Sequence, residues 1–289
     1  MPITKPSQEE AHSAARELFD GQHGMGLIPN PPDPRDYLVA SSPDAILPET
    51  LRHEIVSAPD LSRSFGVKAR DLPPIWDQDG VGACAAYATD RLVCHARKRQ
   101  GLPYVEPSHL FTYYNARALY GHEAELHDTG SAPSLCLESA RKYGIAPATD
   151  WPFDRRKVVV KPSDAAYVDA ELHQALSTWM IPDGDVAAVQ ASLMDGWPVM
   201  VGLPLFENFG TDEKGLVPGP KGSIRGYHEV TIRGWRPWWG GCLATDNQWT
   251  TAWGKRGRCF LPVSYVAEHG FAFGTVRAVE NVAMPGGLL

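Results

Sequence analysis

The chain has 289 residues, enough for one large domain or two lobes around a shared cleft. Hydrophobic residues at 43% and charged residues at 21% are the proportions of a globular protein and exclude wholesale disorder. A formal net charge of -7 argues against a nucleic-acid partner, whose phosphates call for a basic face, and no apolar run approaches the ~20 residues that span a bilayer.

The first 70 residues differ from the rest and read as an N-terminal extension. Residues 7–20 fit one amphipathic helix, and 21–36 are rich in glycine and proline, ending Pro31-Pro32-Asp33-Pro34-Arg35-Asp36. Proline removes backbone donors and restricts its neighbours, so this stretch is expected to be a linker or a strap across the surface. Its start lacks the apolar core of a secretory signal, and the five cysteines have no paired spacing. The expected location is cytoplasmic, or exported without a conventional signal peptide.

The clearest helix is predicted from Ala83 or Cys84 to about Gln100. Arg97, Lys98 and Arg99 fall in its last turn and Gly101 supplies a stop. Further helices are predicted over about 108–119, 134–143, 164–177 and 185–194. Beyond Gly196 the pattern turns extended, with strands predicted over 198–203, 228–232, 242–245, 258–261 and 276–279. A helical half followed by a β half points to an α+β protein, with a helical lobe over about 71–185 and a β lobe over about 186–289.

Cys84 opens the long helix, Gln78 lies six positions upstream, and His228 and Asn247 follow far downstream. A helix N-terminus and a nearby imidazolium both stabilise a thiolate, so Cys84 is the candidate nucleophile. His228 would accept the thiol proton and return it to a leaving amine. Asn247 could hold the ring by accepting its N–H, under the cover of Trp249 and Trp253. Gln78 and the Cys84 backbone N–H would receive the oxyanion, while Gly80 and Gly82 let a substrate backbone approach and Trp249 is the third expected substrate-binding residue. Cys94, Cys136, Cys242 and Cys259 have no comparable setting and read as core thiols.

Other motifs fail. His122-Glu123-Ala124-Glu125-Leu126-His127 is one residue too long for a zinc-binding His-Glu-x-x-His helix. Gly219-Pro220-Lys221-Gly222-Ser223 lacks a phosphate-loop ending, and no Gly-x-Ser-x-Gly is present. No metal, nucleotide or other cofactor is expected.

Gln78…Cys84, His228-Glu229-Val230 with Gly234-Trp235, and Asn247-Gln248-Trp249-Thr250-Thr251-Ala252-Trp253-Gly254 stand in the order of three motifs of the papain-like (C1) cysteine peptidases, which roughly residues 70 to 280 resemble. Pro107 to Asn115, Gly130 to Phe153 and the proline cluster at 31–36 are similar to segments of compact prokaryotic members. The resemblance implies a helical left lobe, a β right lobe, and a groove between them that takes a protein or peptide substrate. It also makes the N-terminal extension a candidate inhibitory strap. This chain departs from the family at Val81, where secreted members place a half-cystine, and at Ala85, Glu229, Gln248 and Thr250. Strand alternation should turn Glu229 away from the site. Ala85 leaves open an amidase or transamidase on a specialised amide, and a non-catalytic binding protein on the same fold is the third reading.

Overall fold

A computed structural model describes residues 25–28, 30, 60–121 and 126–279. The helix expected over 7–20 and the proline cluster at 31–36 lie outside the described residues. Of the glycine-rich stretch, Met25 to Ile28 and Asn30 are described.

Among the described residues there are six α-helices: α1 Cys84–Arg99, α2 His109–Tyr120, α3 Pro133–Lys142, α4 Asp164–Ala170, α5 Val186–Met194 and α6 Val263–His269. The starts follow local chemistry. Ser108, Ser163 and Asp185 accept hydrogen bonds from Phe111, Ala166 and Ala188 amides, and Pro133 occupies the first turn of α3. None of these helices is long and apolar enough to cross a membrane.

The strands are β1 Phe65–Gly66, β2 Ala175–Ile181, β3 Val199–Phe206, β4 Ile224–Arg236, β5 Cys242–Asp246, β6 Arg258–Pro262 and β7 Phe271–Val279. They form one antiparallel sheet in the order β2-β7-β3-β4-β5-β6, with β1 paired to β4. The α+β class expected from the sequence is observed. The helix predicted over 164–177 is shorter: it ends in a 3-10 turn at His173, and Ala175–Ile181 is a strand. Its partner is β7, from Ala175↔Val279 to Ile181↔Phe273, a pairing about a hundred residues away that no local pattern announces.

β4 has two working faces. Val230 and Ile232 pair with Val201 and Val199 and point into the right-lobe core with Leu203 and Trp249. The other face, with Thr231 opposite Met200, packs toward α1, where the Thr89 hydroxyl reaches the Met200 sulfur at 3.8 Å. α1 is buried around nearly its whole circumference up to Arg97 and is the central post of the molecule.

A buried ion cluster ties the lobes. Asp246, fully buried on β5, faces Arg233 at 2.8 Å, Arg258 at 3.2 Å and, from α1, Arg91 at 3.6 Å. Arg91 also donates to the Pro73 and Pro74 carbonyls and lies over the Trp76 ring. A short antiparallel pairing fixes the same seam: the Gln78 amide donates to the Gln248 carbonyl (3.0 Å) and the Thr250 amide to that of Trp76 (3.3 Å).

Candidate active site

Gln78, Cys84, His228 and Asn247 converge at this seam. Cys84 is the first residue of α1, and its sulfur is reached by the backbone amides of Glu229, Gly26 and Ala85. The thiol from the left lobe therefore abuts the peptide unit that follows His228 on β4. His228 Nε2 lies 2.8 Å from Asn247 Oδ1, which also accepts the Gln248 amide at 2.8 Å. Trp249 stacks on the imidazole at 4.4 Å between centroids, and Trp253 meets Trp249 edge-on. Trp249 is buried as a cover for the ring, so its contribution is to the histidine and not to a substrate surface.

Gln78 sits in the turn that Val81 closes by donating to its carbonyl (3.0 Å), and its Nε2 donates to the Val81 carbonyl at 2.8 Å. That bond fixes the amide and uses one of its two protons. Gly80 provides the left-handed backbone of this turn at φ 73° and faces the Arg155 guanidinium. The close approaches within the molecule are at Gly82 and Gly130. Gln248 spans the cluster, donating to the Glu229 carbonyl at 2.7 Å and reaching the Cys84 carbonyl at 3.5 Å.

The groove is filled by the protein's own chain. Leu27 and Ser131 form a parallel bridge: the Ser131 amide donates to the Gly26 carbonyl (2.7 Å) and the Ile28 amide to the Ser131 carbonyl (3.1 Å). The Leu27 amide donates across to the Tyr227 carbonyl on β4 at 3.4 Å. Any Cβ on Gly26 would lie inside van der Waals contact of the Gly82 backbone, and one on Gly130 inside that of Gly26. Gly130, Ser131 and Tyr227 were not singled out from sequence; the one local hint was Gly130-Ser131 just before the proline-started α3.

Two expectations need correction. The Cys84 thiol was expected to be acidified by the helix terminus and an imidazolium. Burial dominates instead and pushes it up to about 12, helped by the Glu229 charge and partly offset by the three amides. The sulfur is fully buried, and Gly26 of the extension is part of what encloses it. Glu229 does turn to the face opposite His228, but that face is the one bearing Cys84 and Leu27, so the carboxyl lies beside the site and not away from it. It is itself fully buried, and desolvation followed by the Asp183 charge raises its pKa well above the usual carboxylate range. Cys94, Cys136, Cys242 and Cys259 are buried free thiols, as expected of core residues.

No family model matches the chain. It is 27% identical over 265 residues to an uncharacterized peptidase C1-like protein of Acanthamoeba polyphaga mimivirus, covering 86% of this chain and 84% of that one. It is 30% identical over 90 residues to a cathepsin B-like cysteine proteinase of Ostertagia ostertagi, covering 29% of this chain and 49% of the relative. Among solved structures, xylellain, a cysteine protease from Xylella fastidiosa, superposes with a TM-score of 0.75 at 23% identity over 90% of this chain and 97% of its own. The fold is papain-like. The bromelain protease of Ananas comosus matches with a TM-score of 0.58 at 16% identity, over 74% of this chain and 98% of bromelain. The proform of the ragweed protease Amb a 11 matches with a TM-score of 0.62 at 16% identity, over 91% of this chain and 78% of that one. These likenesses show the papain-like fold. In this chain α1 carries Cys84 against the sheet whose β4 holds His228, and Asn247 directly follows β5.

Proposed function

We propose that the chain is a cysteine-type peptidase that cleaves peptide bonds through a thioester on Cys84. The observation that carries this is the pairing of His228 Nε2 with Asn247 Oδ1 at 2.8 Å under the Trp249 ring, on the strand whose next amide touches the Cys84 sulfur. The cysteine-peptidase names of the relatives point the same way.

Asn247 holds the imidazole in one orientation by accepting its Nε2 proton, which leaves Nδ1 to exchange a proton with the thiol. The thiolate attacks the scissile carbonyl, and the oxyanion meets the second Gln78 Nε2 proton and the Cys84 amide at the start of α1. The imidazolium then protonates the leaving amine, and water, activated by the same ring, hydrolyses the thioester. With the strap displaced, as by Gly26→Ala, Cys84→Ala should abolish turnover of unfolded protein and peptide substrates with the unfolding transition unchanged. Residual turnover within about tenfold of the Gly26→Ala chain would sink the assignment.

The same geometry supports intramolecular inhibition by the N-terminal extension. Gly26 offers the sulfur an N–H and turns its carbonyl to the Ser131 amide, so the strap presents no electrophile to the nucleophile. It is held in a non-productive pose and is not a substrate in place. The length match with xylellain, 97% of that chain, supports placing this protein with the compact prokaryotic type. A non-catalytic reading is favoured only by the sealed thiol, and thiol reactivity after displacement of the strap separates the two.

A further inference from the structure

Glu229 is unexplained by the chemistry above. Both of its carboxylate oxygens are buried and have no hydrogen-bond partner among the described residues. A carboxyl so placed costs several kcal/mol unless something absent from the closed molecule pairs with it. Its position shows where such a partner would come from.

Glu229 is directly opposite Gly202 on β3, and opposed residues share a face. Gly202 leaves a gap on that face. A Cβ there would lie 2.7 Å from Leu27 Cδ2 and 2.9 Å from Phe271 Cε2, so the Leu27 side chain fills the space that a larger residue would close. Phe271 is the residue paired with Gly202 from β7. Next to it, the Ala272 amide is bound at 2.7 Å by the carboxylate of Asp183, an exposed residue whose charge reaches Glu229. The pocket therefore has an apolar wall from Phe271, a buried acid at Glu229, a second acid toward solvent, and an apolar side chain inserted by the strap. Among the described residues no cation acts on Glu229, whose shift is caused by burial and then Asp183.

We propose that Glu229 is the specificity determinant of the pocket that Leu27 occupies, and that the side chain admitted there from a substrate is a lysine or arginine. The stem of such a residue replaces Leu27 against Phe271, and its charged end meets the acid that leucine leaves unpaired. The strap then holds the pocket with a residue that cannot make the ion pair, which leaves a cationic peptide the better occupant. The identity of the ligand as a peptide rests on the peptidase reading; the cation preference of the pocket does not.

Two measurements on the full chain test this. In the first, Leu27→Lys is introduced into wild type and into Glu229→Gln, and unfolding by urea is followed at neutral pH. The lysine should be tolerated at least about tenfold better, in the unfolding equilibrium constant, when Glu229 is present. Coupling within about twofold overturns the proposal. In the second, paired fluorogenic peptides differing only by lysine or leucine at the position that enters the pocket are assayed with the Gly26→Ala chain, whose added Cβ meets the Gly82 backbone and displaces the strap, and with the same chain carrying Glu229→Gln. The lysine-to-leucine ratio of kcat/KM should fall at least about tenfold in the variant, and an unchanged ratio overturns the assignment. If no peptide is cut by either protein, it is the peptidase reading that fails, and the coupling measurement alone decides the pocket.

Discussion

Gly26→Ala displaces the strap without altering a residue of the catalytic cluster. The added Cβ would fall inside contact distance of the Gly82 carbonyl carbon, oxygen and Cα, all backbone atoms that cannot swing aside. Residues 25–28 then have to leave the groove, and the sulfur loses the covering that pushes its pKa up to about 12. A hydrated cysteine titrates near about 8.5, so at pH 7.5 its thiolate fraction rises from about 3 × 10⁻⁵ to about 0.1, roughly three-thousandfold. A less basic thiolate is intrinsically slower, by about fortyfold for a Brønsted slope near 0.45, which leaves a net gain of about a hundredfold. Imidazolium pairing with His228 would increase it further. The assay is iodoacetamide alkylation at pH 7.5, with the modified cysteine located by peptide mapping. Cys84 should label about a hundredfold faster in the variant than in wild type, and Cys94, Cys136 and Cys259 should stay protected. If limited proteolysis shows residues 25–30 released while Cys84 remains as slow as before, the strap is not what masks the thiol and the argument fails.

Three further outcomes are expected. Asp246→Ala leaves Arg91, Arg233 and Arg258 without their shared acceptor and should cost about 3–5 kcal/mol in urea unfolding. Asn247→Ala frees the imidazole and should lower kcat about a hundredfold or more on a strap-displaced background, with the acid limb of the pH profile moved and KM little changed. Glu229 has a folded-state pKa above its unfolded value, so its contribution to stability is full in acid and is lost as pH rises through the raised value. Glu229→Gln should therefore match wild type in Tm near pH 4 and exceed it near pH 8; a pH-independent difference would mean the carboxyl is hydrated or already paired.

What the sequence made legible was whatever local chemistry decides. α1 announces itself by its alanines, its basic last turn and Gly101, and the observed Cys84–Arg99 follows. Three motifs in order sufficed to bring Cys84, His228 and Asn247 to one seam. Ala175–Ile181 was lost to a helix because its strand character comes from β7 and not from its own pattern. The thiol's environment was misjudged because the groove is closed by Gly26, whose seat depends on two other glycines, Gly82 and Gly130, far apart in sequence. Glu229 is the instructive case. Alternation along β4 correctly turned it from His228, but only the packing of β4 against α1 makes the second face part of the groove.

A sealed nucleophile and a working peptidase are compatible only if the seal can open while the lobes stay together, and the contacts separate in that way. Met25 to Ile28 are held by three backbone hydrogen bonds and the burial of Leu27 and Ile28. At about 1 kcal/mol for each bond and about 2–3 kcal/mol for each of the two side chains, the strap gains about 7–9 kcal/mol. Ordering four residues costs about 4–8 kcal/mol in backbone freedom and about 1–2 kcal/mol in the two side chains, so the two sides nearly cancel. The lobe seam is of another kind: Asp246 with its three arginines, the pairing of Gln78 with Gln248, and the Gln248 amide bound to β4. None of these bonds involves the strap, and each is paid for by burial that persists when it leaves. On the proposed inhibition by the strap, release of residues 25–28 is expected to uncover Cys84 and vacate the pocket beside Glu229 together, because Gly26 and Leu27 are adjacent on one short segment. Thiol reactivity and access to the acidic pocket should therefore rise in parallel in any variant that loosens it.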